Sequence, residues 1–293
     1  MTPERILTWI DGSIHEPDDA RVSVFDRGFL YGDAVYELVR FFDDVGMGMD
    51  LHIERLRRSL DRTGITGFDP GTYPSICRTL MDALETSDAC IYLQVSRGVQ
   101  VPRRHAPDGT LSPTVVAIGS TSAPLSELEE PIQVPIIVLP DLRRRSCDIK
   151  ATSLIENVMA TIQAVDADAA EPILHEDGLL TEGGSSNVFV VRNGTLLTPA
   201  LGDPRPILEG VTRRFVVEAA VNLGIEVMEG DVPVDALREA DEAFVTSSRR
   251  LLGTITSVDG RQIGDGRPGA VTMQVFEEVR RIIQTVLENE HAH

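Results

Sequence analysis

A chain of 293 residues, 42% of them hydrophobic, is long enough to bury one large core or two medium ones. Its net charge of −19, from 46 acidic and 27 basic residues, argues against the basic surface that nucleic acid or an anionic membrane requires of a partner. No apolar run approaches the roughly 20 residues of a membrane helix, and the polar start MTPERILTW lacks a secretory apolar stretch, so the expected compartment is the cytoplasm. The three cysteines, Cys77, Cys90 and Cys147, are widely spaced without CxxC pairing, which suggests neither disulfides nor a zinc site.

The opening ILTWIDGSIHEP reads as two short strands around an Asp11-Gly12 turn. A strand follows at Ala34 to Phe42, then amphipathic helices over about His52 to Thr63 and Tyr73 to Leu84, and strands at Ala89 to Ser96 and Thr114 to Ile118. The small, polar, Pro-bearing stretch GSTSAPLSELEEP at 119–131 has the composition of a linker. It divides the chain into a domain at 1–120, a linker at 121–131 and a second domain at 132–293. The second domain begins with a strand at Gln133 to Leu139 and the basic segment DLRRRSCDIK. A helix from about Ser153 to Asp168 is expected to bury Leu154, Ile155, Val158, Met159, Ile162 and Val165. A hairpin turning at Asp177-Gly178 comes next, then strands at SNVFVV and TLLTP and a helix opening near Val211. Strands at EAFVTSS and GTITSVDG precede a C-terminal helix from about Val271. The pattern is α+β.

All but one of the 27 Lys and Arg residues are arginine, and the exception is Lys150. Only lysine loses its proton near neutral pH and attacks a carbonyl, because guanidinium stays charged. As a count this is equally a product of codon bias, so the surroundings decide. Lys150 stands at a strand–helix junction before Thr152 and Ser153. Glu182 lies in the glycine- and serine-rich turn TEGGSSN, as a carboxylate held by neighbouring amide and hydroxyl donors or as an ordinary exposed turn acid.

Gly210 followed by Val211 and Thr212 opens a helix whose first amides suit an anion, while Arg55, Ser247 and Ser248 can add charged and hydroxyl donors. Arg55 is equally read as a solvated helix residue. In VPRRHAPDG, Arg103 and His105 fall on one side of an extended chain, either as a carboxylate grip or as part of a polar loop. Tyr36 offers a phenol or simple packing. The histidines at 15, 52, 105, 175, 291 and 293 show no metal-ligand spacing apart from the HAH tail, so no metal is expected. Nor does the chain hold a P-loop, a GxSxG elbow or a convincing dinucleotide fingerprint.

Taken together, DRGFLYGDAVYELVR at 26–40, HIERL at 52–56, PRRH at 102–105, CDIK at 147–150, LLTEGGSSNVF at 179–189, ILEGVTR at 207–213 and FVTSS at 244–248 resemble the fold-type IV pyridoxal-phosphate enzymes, and most closely their D-amino-acid transaminase branch. The resemblance implies a homodimer with the cofactor in a cleft between a smaller α/β domain and a larger β-rich pseudobarrel domain. It makes Lys150 the Schiff-base lysine and proton shuttle, and Glu182 the partner of the pyridine nitrogen. It assigns the phosphate to Arg55, Val211, Thr212, Ser247 and Ser248. It assigns the substrate carboxylate to Tyr36 of one subunit with Arg103 and His105 of the other. The implied substrates are a D-amino acid and a 2-oxo acid. Branched-chain L-amino-acid transaminases and aminodeoxychorismate lyases share the lysine, the glutamate and the phosphate residues and remain the alternatives. Arg40, Arg249 and Arg250 depart from the family pattern, as a second carboxylate site or as surface ion pairs.

Overall fold

The computed structural model describes residues 5–143 and 145–291; Arg144 and His293 of the segments read above lie outside them. Contacts divide the chain into one unit comprising Met1–Glu127 with Ile149–Leu154, and another comprising Leu128–Asp148 with Ile155–His293. Lys150 therefore groups with the first unit.

The first unit is built on a six-stranded antiparallel sheet of β1 (Ile6–Ile10), β2 (Ser13–His15), β3 (Ala34–Phe42), β4 (Val45–Gly46), β5 (Ala89–Ser96) and β6 (Val115–Thr121), in the order β2-β1-β6-β5-β3-β4. The short α1 (Arg27–Tyr31) precedes β3, and α2 (Met49–Thr63) and α3 (Tyr73–Leu84) cover one face. Both covering helices follow the helical period. α2 buries His52, Arg55, Leu56, Ser59 and Leu60, and α3 buries Tyr73, Ile76, Cys77, Leu80, Met81 and Leu84. Each fully buried leucine among them stabilises the packing by roughly 2 kcal/mol. Gly64 ends α2 in the left-handed conformation at φ 64°. Strand parity in β3 sends Val35, Glu37, Val39 and Phe41 into this core. Glu37 is the exception among them, a carboxylate with no exposure at all.

The second unit holds a nine-stranded mixed sheet: β7 (Ile132–Pro140), β8 (Glu171–Glu176), β9 (Leu179–Gly183), β10 (Asn187–Arg192), β11 (Thr195–Pro199), β12 (Val227–Gly230), β13 (Glu242–Ser247), β14 (Leu251–Val258) and β15 (Arg261–Gln262). Its order is β12-β11-β10-β13-β14-β7-β8-β9, with β15 on β14, and β9 lies against β10 and β11, so the sheet curls back on itself. The helices are α4 (Ile155–Asp166), α5 (Val211–Asn222), α6 (Val234–Arg238) and α7 (Ala270–His291). The expected hairpin at Asp177-Gly178 is present, both residues at positive φ (51° and 81°), the paired left-handed conformation that Asp-Gly tolerates.

α4 overturns an expectation. Ile155, Val158, Met159, Ile162 and Val165 are 50–63% exposed, and the helix buries Ala160 and Ala164. The two alanines let α4 pack closely on β7 and β8, which turns the large apolar side chains outward. No helix among the described residues is long and apolar enough to cross a membrane.

Candidate active site

In the first unit the segment carrying Lys150 is bound to the free edge of β3. Tyr36 N–H donates to the Lys150 carbonyl at 2.9 Å, Thr152 N–H donates to Ala34 O at 3.0 Å, and Ala151 bridges Val35. The Lys150 N–H reaches Ser59 Oγ of α2 at 3.4 Å, and its Nζ lies 4.3 Å from the Tyr36 ring centroid. The lysine is thus held by backbone on two sides, with its amine against a tyrosine face.

Arg55 does not stand in solvent. Its Nε and Nη2 grip the two oxygens of Glu37 at 2.8 and 2.6 Å, and His52 Nδ1 reaches the same carboxylate at 2.7 Å. Burial raises the Glu37 pKa, but the charges and hydrogen bonds of Arg55 and His52 outweigh it and hold the carboxyl at about 2. Burial likewise keeps His52 below its ordinary value, hence neutral at pH 7. With Glu37 ionised, the imidazole proton belongs on Nδ1, leaving Nε2 as an acceptor. Because the Glu37 pKa is depressed, its stabilising contribution is present above about pH 4.5 and is lost as pH falls toward 2. That contribution is on the order of 3 kcal/mol. Glu37→Gln is therefore expected to lower Tm at pH 7 and to flatten the fall in Tm between pH 5 and 3. Parallel acid unfolding curves for parent and variant would contradict it.

Arg103 and His105 lie in an exposed loop, and both address Tyr31, not Tyr36. The Arg103 guanidinium sits 4.6 Å and the His105 ring 5.3 Å from the Tyr31 ring. Among the described residues, no hydrogen bond or ring contact joins either to Tyr36, whose ring neighbour is Tyr92 at 5.3 Å. Arg40 is buried, with Nη2 donating to Ala123 O at 2.7 Å.

In the second unit Glu182 is a buried carboxylate, not an exposed turn acid. Arg143 Nη1 donates to its Oε1 at 2.6 Å and the Leu208 N–H to its Oε2 at 3.1 Å. Burial raises its pKa above the ordinary value against the opposing pull of Arg143. Arg143 is itself fixed by Asp141, through Nε to Oδ1 at 2.9 Å and Nη2 to Oδ2 at 2.6 Å, and Thr181 Oγ1 donates to Asp141 Oδ2 at 2.8 Å. Neither Asp141 nor Arg143 stood out in the sequence.

The network continues to the start of α5. Asn187 Nδ2 donates to the Leu208 carbonyl at 2.9 Å, and a Cβ on Gly210 would fall 2.0 Å from Asn187 Oδ1, so any larger residue there would displace the Asn187 side chain. Gly210 gives α5 no side-chain cap, which leaves its first amides to another acceptor. The Oγ1 atoms of Thr212 and Thr246 are buried without a hydrogen-bond partner among the described residues. Ser247 ends β13, and Ser248 follows in the turn before Leu251, which is fully buried at φ 58°. Arg250 Nη1 is engaged by the buried Glu171 at 2.6 Å, and Arg249 is exposed in the same turn.

The family model for class IV aminotransferases matches residues 34–258. A D-alanine aminotransferase of Bacillus licheniformis is 36% identical over 282 residues, 95% of each chain. A D-alanine aminotransferase of Listeria monocytogenes serotype 4b (strain F2365) is 32% identical over 286 residues, covering 97% of this chain and 98% of the relative. Among solved structures, a branched-chain aminotransferase from Thermoproteus uzoniensis with norvaline superposes with a TM-score of 0.81 at 27% identity over 94% of each chain. With the family model spanning most of the sequence and these relatives matching nearly end to end, the chain belongs to the class IV aminotransferases.

Proposed function

We propose that this chain is a pyridoxal-phosphate-dependent transaminase that moves the amino group of a D-amino acid to a 2-oxo acid. The observation that carries the reading is the set of unmet groups at the start of α5. Free helix amides and the partnerless hydroxyls of Thr212 and Thr246 together fit a phosphate dianion. On this reading Val211, Thr212, Ser247, Ser248 and Arg55 would hold the phosphate, Lys150 would hold the cofactor covalently, and Glu182 would pair with its ring nitrogen.

Pyridoxal phosphate, when bound, supplies the electron sink for the pair left behind as the substrate Cα–H breaks. Released when the substrate's amino group takes its place on the cofactor, the Lys150 amine would accept the Cα proton and, as the ammonium, give it back. Glu182, kept in place by Arg143 and Leu208 N–H, would keep a proton on the ring nitrogen, and burial would strengthen that pairing. Tyr36, Arg103 and His105 orient the substrate through its carboxylate. The return half-reaction uses the same residues in reverse order, so the kinetics are ping-pong.

The PRRH segment and the full-length similarity to D-alanine aminotransferases favour the D-enantiomer. The branched-chain fold neighbour supports the second reading, an L-amino-acid transaminase, at lower identity. We further read the protein as a cytoplasmic homodimer. The apolar stripe of α4 needs cover, and Arg103 and His105 turn to Tyr31 and not to Tyr36. Cys77, Cys90 and Cys147 form no disulfide among the described residues, which suits a reducing compartment. The test is an assay of both enantiomers of alanine, glutamate and leucine with 2-oxoglutarate or pyruvate as acceptor. Turnover of D-alanine above L-leucine by at least about 100-fold in kcat/KM is expected; the reverse preference would establish the second reading.

A further inference from the structure

Arg27 opens α1 and is 4% exposed, an unusual position for a cation that no ligand role explains. Four of the five N–H donors of its guanidinium are engaged. Nε donates to Asp33 Oδ2 at 2.7 Å, Nη1 to Gln100 Oε1 at 3.0 Å and the Arg104 carbonyl at 2.6 Å, and Nη2 to the His105 carbonyl at 2.7 Å. Its backbone N–H donates to Gly98 O at 2.9 Å, at the root of the same loop. Behind it, Asp33 is locked by Arg97 through Nε at 2.8 Å and Nη2 at 2.9 Å, and Arg97 in turn donates to Thr63 O and Gly64 O at the end of α2.

Residues 101–110 are exposed throughout and form no helix or strand, so their conformation rests on the few bonds they make to the body of the unit. Two of those bonds come from Arg27 and end on consecutive carbonyls, those of Arg104 and His105. The guanidinium also lies 5.0 Å from the Tyr31 ring that Arg103 and His105 face. We infer that Arg27 is a positioning residue for substrate specificity: the buried fork fixes the backbone that aims Arg103 and His105 at the substrate carboxylate. The inference rests on the proposed role of Arg103 and His105. Lysine cannot replace the fork, because one ammonium cannot span both carbonyls while keeping Asp33 and Gln100.

The test compares Arg27→Lys, Arg103→Ala and the double variant as cofactor-loaded enzymes. Arg27→Lys is expected to raise KM for the D-amino acid about 30-fold with kcat within about threefold. Cofactor affinity, measured by titrating the apo-protein, stays at the parental value, and amide exchange speeds up only in the 101–110 loop. The double variant is expected within about threefold of Arg103→Ala, since both act on one grip. Should Arg27→Lys not fold, Gln100→Ala, which frees one arm of the fork, is expected to raise KM about threefold under the same measurements.

The inference is overturned if KM stays near parental in Arg27→Lys (or, where that variant does not fold, in Gln100→Ala) while Arg103→Ala raises it. It is also overturned if kcat, cofactor affinity and Tm fall together and the double variant is fully additive, the mark of a merely structural cation. An Arg103→Ala variant with parental KM removes the grip and this inference with it, leaving the transaminase reading intact. A parent enzyme that turns over only L-amino acids overturns the proposed function itself.

Discussion

Replacing Lys150 with alanine is expected to lower kcat by at least about four orders of magnitude, with the fold intact. No second side-chain amine can take over: every other basic side chain of the Lys and Arg class is an arginine, and guanidinium does not deprotonate in the working pH range. The mutation costs little stability, because the segment is held by backbone bonds. The Lys150 carbonyl accepts from Tyr36 and its N–H reaches Ser59, and both survive truncation of the side chain. Far-ultraviolet dichroism and Tm near parental values, with turnover lost, are the expected pair of results. Partial recovery by added small amines is the further signature, since a diffusing base can replace the missing proton carrier. Turnover within about tenfold of the parent would remove Lys150 from the mechanism.

Glu182→Gln is expected to lower kcat by about 100- to 1000-fold while KM changes little. Glutamine keeps the shape and can still accept from Leu208 N–H, but it loses the charge that holds a proton on the ring nitrogen. The substitution also strips a charged partner from Arg143, whose other partner, Asp141, remains. A stability loss of about 3 kcal/mol is expected from a buried cation that is only half compensated. Changing Asp141 to asparagine in the same background should not restore activity, because the missing function is the charge at the ring, not the geometry of Arg143. A Glu182→Gln enzyme with parental kcat would contradict the assignment.

Local patterns carried the fold well. The stripes of α2 and α3, the parity of β3 and the Asp-Gly turn at 177–178 follow from spacing over a few residues, and each element formed where its pattern lay. The stripe of α4 failed because apolar spacing identifies a helical face without saying what covers it. Two alanines made the inner contact and the large residues were left outside.

Motif reading found the amine, the turn glutamate and the helix start, because those residue types are individually suited to chemistry. It missed the residues that hold them. Glu37 was legible in principle, since β3 parity places it on the core side among Val35 and Val39, where a carboxylate demands a partner. His52 and Arg55 stand three apart on α2, one turn of the same face, and complete that pair. Arg143 was not legible, being one of three adjacent arginines in DLRRRSCDIK that only burial separates from a solvated one. Arg27 is similar: its value lies in carbonyls of Arg104 and His105, far along the chain, and backbone acceptors leave no trace in side-chain identity.

On the proposed function, the single lysine of this chain is the residue that holds the cofactor. Borohydride reduction of the pyridoxal-phosphate-loaded protein, followed by digestion and mass spectrometry, locates the attachment without ambiguity, because the sequence offers no other lysine side chain. One reduced pyridoxal phosphate per chain is expected, located on Lys150, with loss of the visible absorption band. An unmodified Lys150 in a protein that nevertheless retains the cofactor would contradict it.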